Sequence, residues 1–352
     1  MNTSLHHVRL AGLAVSTGSV VRDFLADGAA AGLDRAALAR IAQAVGLRER
    51  RVAAPGVTAL DLCEDAARRL FDAAAVDPSS VDAVVFVTQT PDHPQPNNAS
   101  LLHGRLGLGK SAPAFELSMG CSGWVHGLHQ AAMLCAHGGA ARVLLCAGDT
   151  LSRLTNPADR AADPLFGDAG SAALVERTGH GSPWHFVLGA DGAGAEAIIV
   201  RQGGARQPAG PLVERADADG NRAHDANLVM DGAEVFSFTL REVPDAVRAV
   251  MRLAGQDSAP DVWILHQANR FVLTTLARKL GVSEERVPST FERYGNQSSA
   301  SIPCALLESC GARLESAPLK VAACGFGVGF SWGAFAGEVG PCAVAPVLPF
   351  PR

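Results

Sequence analysis

The stretch that decides how this chain is read runs Ala114, Phe115, Glu116, Leu117, Ser118, Met119, Gly120, Cys121, Ser122, Gly123, Trp124. Its first four residues form a short apolar-rich strand. After Gly120 the pattern turns helical, starting at Cys121 and continuing through Val125, Leu128, Ala132 and Met133. A cysteine at such a junction lies beside free N–H groups and the positive end of a helix dipole, which stabilise a thiolate and any oxyanion formed next to it. A free cysteine in apolar surroundings is equally a common inert core residue. The stretch alone leaves both readings open.

Outward from it, strands and helices alternate. Val8 to Val15 reads as a strand, Gly18 to Val21 as a turn, and 33–45 and 58–75 as helices, the second capped by Thr58. Gly46, Leu47, Arg48, Glu49, Arg50 and Arg51 form a charge run, read as a solvated or ion-paired loop. Asp82 to Thr90 holds a continuous apolar run that suits a strand buried on both faces. A proline-rich loop and a helix over 97–106 lead to the Cys121 unit, followed by strands at Arg142 to Ala147 and Asp168 to Val175. Residues 201–227 lack periodicity and form a long excursion of the kind that builds lids or channel walls. A helix over 233–254 contains Pro244, which is expected to break or kink it unless it opens a second helix. Asp261 to Leu265 is a strand, His266 to Leu280 a helix, and Leu319 to Cys324 a strand feeding a glycine-rich loop. This alternation predicts an α/β layered fold. The second half also repeats the first: Asp82 to Val87 parallels Asp261 to His266, Arg142 to Gly148 parallels Lys320 to Gly327, and Gly170 to Leu174 parallels Gly333 to Gly337. The expectation is a duplicated domain, 1–177 and 178–352, with a site between its halves.

Composition narrows the class. In 352 residues, 48% apolar and 18% charged content allow a large close-packed core and no disordered tail. A net charge of −5 gives no reason to expect nucleic acid or an anionic membrane as the main partner. The eight cysteines contain no CxxC pair and lie mostly in apolar segments, which points to a reduced, cytoplasmic protein without a zinc site. The first ten residues have no secretion-signal pattern, and no segment approaches the roughly 20 apolar residues of a membrane span.

Three places could carry chemistry. Cys121 is the first. His266, Gln267, Ala268 and Asn269 follow directly on the strand ending at Leu265, where α/β folds place ligands. Gly295, Asn296, Gln297, Ser298, Ser299, Ala300 and Ser301 form a polar cluster that reads either as a site or as a helix cap with a tight turn. A cysteine, a histidine and an asparagine together suggest catalysis at a thiolate. In a hydrolase the histidine takes the thiol proton and the asparagine orients it. In a decarboxylating condensing enzyme the cysteine holds an acyl group, and histidine and asparagine donate hydrogen bonds to the thioester oxygen of an extender. The Cys121-to-His266 separation falls within the roughly 130–150 residues of papain-like enzymes. The position of Cys121, a third of the way along a chain without a disulfide framework, disfavours the hydrolase.

The motifs Gly46-Leu-Arg-Glu-Arg-Arg, Gly120-Cys121-Ser-Gly, Phe166-Gly167-Asp168-Ala-Gly-Ser-Ala, His266-Gln-Ala-Asn, Gly295-Asn296-Gln-Ser-Ser-Ala-Ser-Ile-Pro and Gly325-Phe-Gly-Val-Gly-Phe-Ser-Trp-Gly run nearly end to end. On these residues the chain resembles the β-ketoacyl-acyl-carrier-protein synthase III family of thiolase-like condensing enzymes. The resemblance implies a thiolase-like, duplicated five-layered αβαβα fold, a homodimer, and Cys121, His266 and Asn296 as catalytic residues. It implies an oxyanion hole of backbone N–H groups at Cys121 and in the 327–329 loop, with Val328 standing where the family commonly has a third glycine and narrowing the pocket. It also implies decarboxylative condensation of an acyl primer with malonyl-acyl-carrier protein, in fatty-acid or polyketide-like biosynthesis. Coenzyme A or phosphopantetheine thioesters would be the substrates, with no tightly bound cofactor. A non-decarboxylating acyltransferase and a non-catalytic partner subunit are the alternatives on the same fold. Two departures bear on the primer. The Trp and Arg that sandwich the adenine of acetyl-CoA in the family fall at Arg40 and Ala44, and the arginine expected after His-Gln-Ala-Asn is replaced by Phe271. Arg270, Arg278 and Lys279 remain as a candidate basic patch for an acidic carrier protein or substrate, and read equally well as solvated helix charges. A longer or branched primer, or a carrier-bound one, is therefore as open as acetyl-CoA.

Overall fold

The computed structural model describes residues 1–30, 34–216, 221–255 and 259–351. One sheet orders its strands Ala343–Pro349, Val8–Thr17, Ala169–Arg177, Arg142–Asp149, Ala83–Val87, Ala114–Leu117. The other runs Asn2–Leu5, Trp184–Ala190, Ser331–Val339, Leu319–Gly327, Val262–Leu265. The two share one pairing scheme. Val8–Thr17 is antiparallel to Ala169–Arg177, which is antiparallel to Arg142–Asp149, which is parallel to Ala83–Val87. Trp184–Ala190, Ser331–Val339, Leu319–Gly327 and Val262–Leu265 repeat those three relations in order.

Helices Gly123–Ala136 and Ser301–Ser316 lie between the sheets and touch both, packing Trp124, Leu128, Ile302 and Leu306 against Leu145, Ile264 and Phe335. Helices Ala59–Ala74 and Asn98–Leu106 cover the outer face of the first sheet, and Gly232–Ala254 and Arg270–Leu280 that of the second. The result is the predicted five-layered αβαβα fold. Every residue of Ala83–Val87 is buried, as a strand between two helix layers requires. Thr58 caps its helix in a reciprocal capping box with Asp61.

Several expectations change. The charge run is no solvated loop, because Glu49–Val52 is a strand paired antiparallel with Val20–Asp23, which also replaces the expected turn there. Arg50 points inward, and its guanidinium bonds the Asp163 carboxylate at 2.7 Å and the Phe166 carbonyl at 3.2 Å. The first helix covers Arg35–Val45 among the described residues, its expected start at 33 lying outside them. The helix Gly232–Ala254 runs on through Pro244. Proline cannot donate to the carbonyl four residues back, which is that of Leu240, and this carbonyl instead accepts from Lys279 Nζ at 2.9 Å. Both terminal strands were missed, and each joins the sheet of the opposite half: Asn2–Leu5 pairs with Trp184–Ala190, and Ala343–Pro349 with Val8–Thr17. The excursion carries two short ribbons, Ile198–Ile199 with Val229–Met230 and Arg215–Ala216 with Arg222–Ala223.

Arg50 and Asp163 have side chains only 7% and 15% exposed, so removing one partner strands a buried charge. Arg50→Met is expected to lower unfolding stability by about 3 kcal/mol, read by chemical denaturation. His129, 4% exposed in the central helix, has neither ring nitrogen bonded, and burial together with nearby His126 lowers its affinity for a proton. A folded-state value below the unfolded one, about 6.5, gives stability that is complete above that pH and lost as pH falls below it. Thermal melts of His129→Leu are accordingly expected to fall less between pH 7 and pH 5 than those of the parent chain.

Candidate active site

Cys121 lies in the turn between Ala114–Leu117 and Gly123–Ala136. The helix begins two residues later than predicted, since the first N–H, that of Gly123, already bonds the Gly120 carbonyl at 2.7 Å. Position alone therefore does not leave the thiol ionised. Burial pushes it up to about 12, opposed by a contact with the Ser298 hydroxyl and reinforced by the charge of Asp149. Desolvation outweighs the helix end.

His266 leaves the end of Val262–Leu265 with its N–H on the Cys324 carbonyl at 2.9 Å. Here too the helix starts later, at Arg270, because Asn269 is the cap, its Oδ1 accepting from the Val272 N–H at 2.9 Å. Gln267 fixes the intervening turn, donating to the Leu265 carbonyl and accepting from the Thr290 N–H. His266 Nδ1 is 2.7 Å from Ser301 Oγ, and the ring meets Phe326 edge-on at 5.3 Å. Burial lowers the imidazole to about 3, so it is neutral at physiological pH.

Asn296 is held by main chain from the other half. Its N–H bonds the Leu165 carbonyl at 2.8 Å and its carbonyl accepts from Gly167 at 3.0 Å, which stitches the Phe166-Gly167 motif to Gly295-Asn296. Its Oδ1 accepts from the Ser298 N–H at 2.9 Å. The end of Leu319–Gly327 presses on the nucleophile turn: a Cβ on Gly327 would lie 3.0 Å from Cys121 Cβ and 3.2 Å from its Sγ, a crowding that glycine avoids. The N–H groups of Cys121 and Val328 donate to no backbone carbonyl among the described residues.

Cys121, His266, Asn296, Gly327 and Val328 all line one cavity of about 360 Å³, whose wall is largely apolar, with Leu151, Leu165, Phe166, Leu228 and Met230. Its lining includes Phe271, 53% exposed and stacked on Phe236 at 5.3 Å. The basic residues do not gather there. Arg270 opens its helix beside Phe271, whereas Arg278 and Lys279 lie about 12 Å further along it, with Lys279 engaged to the Leu240 carbonyl. Arg40 and Ala44 are both exposed on their helix. One residue of the site escaped the sequence reading, Gln89, whose Nε2 donates to Ser298 Oγ at 3.0 Å; Ser298, read there only as a member of the polar cluster, has its Oγ 3.7 Å from Cys121 Sγ. The strand-end rule that singled out His266 applies equally to Gln89, which follows Ala83–Val87.

Comparison with known proteins identifies relatives of the chain and of its fold. Residues 115–192 match the family profile of 3-oxoacyl-[acyl-carrier-protein (ACP)] synthase III, and residues 255–339 that of its C-terminal part. The β-ketoacyl-[acyl-carrier-protein] synthase III of Rhodopirellula baltica is 35% identical over 94% of this chain and 98% of its own. A 3-oxoacyl-(acyl-carrier protein) synthase from Burkholderia xenovorans LB400 superposes with a TM-score of 0.92 at 35% identity, covering 99% of each chain. The priming β-ketosynthase of the R1128 polyketide biosynthetic pathway superposes with a TM-score of 0.78 at 28% identity, over 96% of this chain and 97% of that one. The chain belongs to the β-ketoacyl-[acyl-carrier-protein] synthase III family.

Proposed function

We propose that this enzyme is an acyltransferase that condenses an acyl primer, carried on Cys121, with malonyl-acyl-carrier protein, releasing CO₂ and giving a β-ketoacyl product. The observation that supports it most is the convergence of Cys121, His266 and Asn296 on one apolar cavity, each from its own motif. In the first step the sulfur attacks the primer thioester carbon, the carbon–sulfur bond to coenzyme A or phosphopantetheine breaks, and the thiol proton ends on that leaving group. The oxyanion meets the backbone N–H groups of Cys121 and Val328. In the second step the malonyl carbon–carboxylate bond breaks and its electrons form an enolate. Assigning the Ser301 hydroxyl, 2.7 Å away, as donor to Nδ1 puts the hydrogen of neutral His266 on Nε2, and with Oδ1 occupied, Asn296 presents its NH₂. Both donate to the enolate oxygen, its carbon attacks the acyl carbon, and the departing Cys121 thiolate takes a proton from solvent.

The thioester supplies its own activation, so the reading calls for no tightly bound cofactor or metal. The repeated pairing scheme supports dividing the chain at 177/178 into a nucleophile-bearing and a His/Asn-bearing half. A homodimer is part of the proposal, supported by the unpaired edge of Ala114–Leu117 with the half-buried Phe115 and Leu117. So is a carrier-protein surface at Arg270, Arg278 and Lys279. The free cysteines support a reducing, cytoplasmic setting, and among the described residues no helix is long and apolar enough to cross a membrane.

Mass spectrometry after incubation with a panel of acyl-CoA and acyl-carrier thioesters is expected to find the acyl group on Cys121. An absence of adduct across the panel would refute the proposal. Asn296→Ala is expected to keep that adduct and lose about 10²–10³-fold in condensation, with labelled CO₂ release falling in parallel. Transfer of the acyl group from Cys121 to a hydroxyl or amine acceptor without any CO₂ release would point to the non-decarboxylating alternative.

A further inference from the structure

The apolar site leaves one question of chemistry: what meets the charge on the sulfur when Cys121 attacks and when it departs. A serine hydroxyl has a single hydrogen. Ser298 Oγ accepts from Gln89 Nε2 at 3.0 Å, so its own hydrogen points elsewhere, and two acceptors lie within its reach: the Asp149 carboxylate at rest and Cys121 Sγ at 3.7 Å, which competes for it once the sulfur carries charge. The placement is specific. Ser298 is fully buried and takes φ +48°, a left-handed backbone that few non-glycine residues adopt. That conformation is held by its N–H on Asn296 Oδ1 and by the next residue, Ser299, whose N–H and hydroxyl both bond Asp149 Oδ2. The backbone of Gln89 is tied to the other oxygen of the same carboxylate at 2.7 Å. Its side chain fits only because residue 120 is glycine: a Cβ there would lie 2.3 Å from Gln89 Nε2.

We infer that Ser298 is a catalytic residue that donates a hydrogen bond to the Cys121 sulfur, and that Gln89 is the positioning residue that aims its hydroxyl. The inference rests on the reading of Cys121 as nucleophile. The serine keeps its hydrogen throughout; it stabilises the sulfur while charged and transfers no proton. Two other titratable groups bear on the sulfur. The Asp149 carboxylate disfavours the thiolate, and His266 shares the cavity as a neutral ring.

The test is the pH profile of Cys121 alkylation from pH 6 to 10 in the full chain, quantified by peptide mass spectrometry with iodoacetamide and with the larger N-ethylmaleimide. Ser298→Gly removes the hydroxyl while accepting the left-handed backbone without strain. It is expected to displace the rising limb by about one pH unit, a roughly tenfold slower reaction at each pH, equally for both reagents and with an unchanged melting temperature. Gln89→Leu, which leaves Ser298 intact but unaimed, is expected to give a smaller displacement in the same direction. Profiles of both variants superimposable on the parent would overturn the inference, as would a change that depends on reagent size, which marks altered access instead. Should Ser298→Gly fail to fold, the Gln89→Leu profile decides alone. Absence of an acyl adduct in the parent chain would instead count against the proposed function, and the alkylation profiles would still decide the role of the serine.

Discussion

The buried carboxylate of Asp149 is the interaction on which the assembled site depends. It ends the strand Arg142–Asp149 and accepts from the Gln89 N–H and the Thr88 hydroxyl with one oxygen, and from the N–H and hydroxyl of Ser299 with the other. Two strand ends of the first half are thereby joined to the polar turn of the second. Burial raises its proton affinity, and the donors from Gln89, Ser299 and the Ser298 hydroxyl pull the other way. A fully enclosed carboxylate is tolerated only with such partners, so the same bonds that satisfy it also fix the distance between the halves.

One physical cause then acts in opposite senses on the reactive pair. Desolvation holds the thiol of Cys121 protonated and the imidazole of His266 unprotonated, so neither of the two reactive groups is charged at rest. Charge forms there only during reaction, first on an oxyanion and then on an enolate, and in a dry cavity fixed donors act on it strongly. The glycine-rich strand end serves this arrangement by bringing main chain against the sulfur, where a side chain would have blocked it.

Much of this was legible in the sequence because the halves of the fold announce themselves as buried strands followed by polar residues. The layers, the internal repeat and the three site motifs follow from that pattern. What it hid has physical reasons. Glu49–Val52 is a strand whose alternation is masked by charged side chains, one of them paired inside the protein. The helices after Cys121 and His266 start late because local hydrogen bonds at Gly120 and Asn269, not apolar periodicity, set their first turns. Pro244 was misjudged because the group that satisfies the freed carbonyl, Lys279, lies on another helix. Gln89 looks like the tail of a buried strand until the fold brings it to Ser298, whose hydroxyl in turn reaches the sulfur.

The exchange of terminal strands also shapes how the chain is made. During synthesis from the N-terminus the first half emerges with the strand Val8–Thr17 open on one side, and its covering partner, Ala343–Pro349, follows only after the other strands of both sheets. Asn2–Leu5 emerges well ahead of its partner Trp184–Ala190 and waits for it. Neither sheet can close while the other half is unmade, so the nascent protein passes through a period with an exposed strand edge in each half, a state that invites pairing with other chains. The cooperative unit of folding is thus the whole polypeptide, although the architecture repeats at half its length.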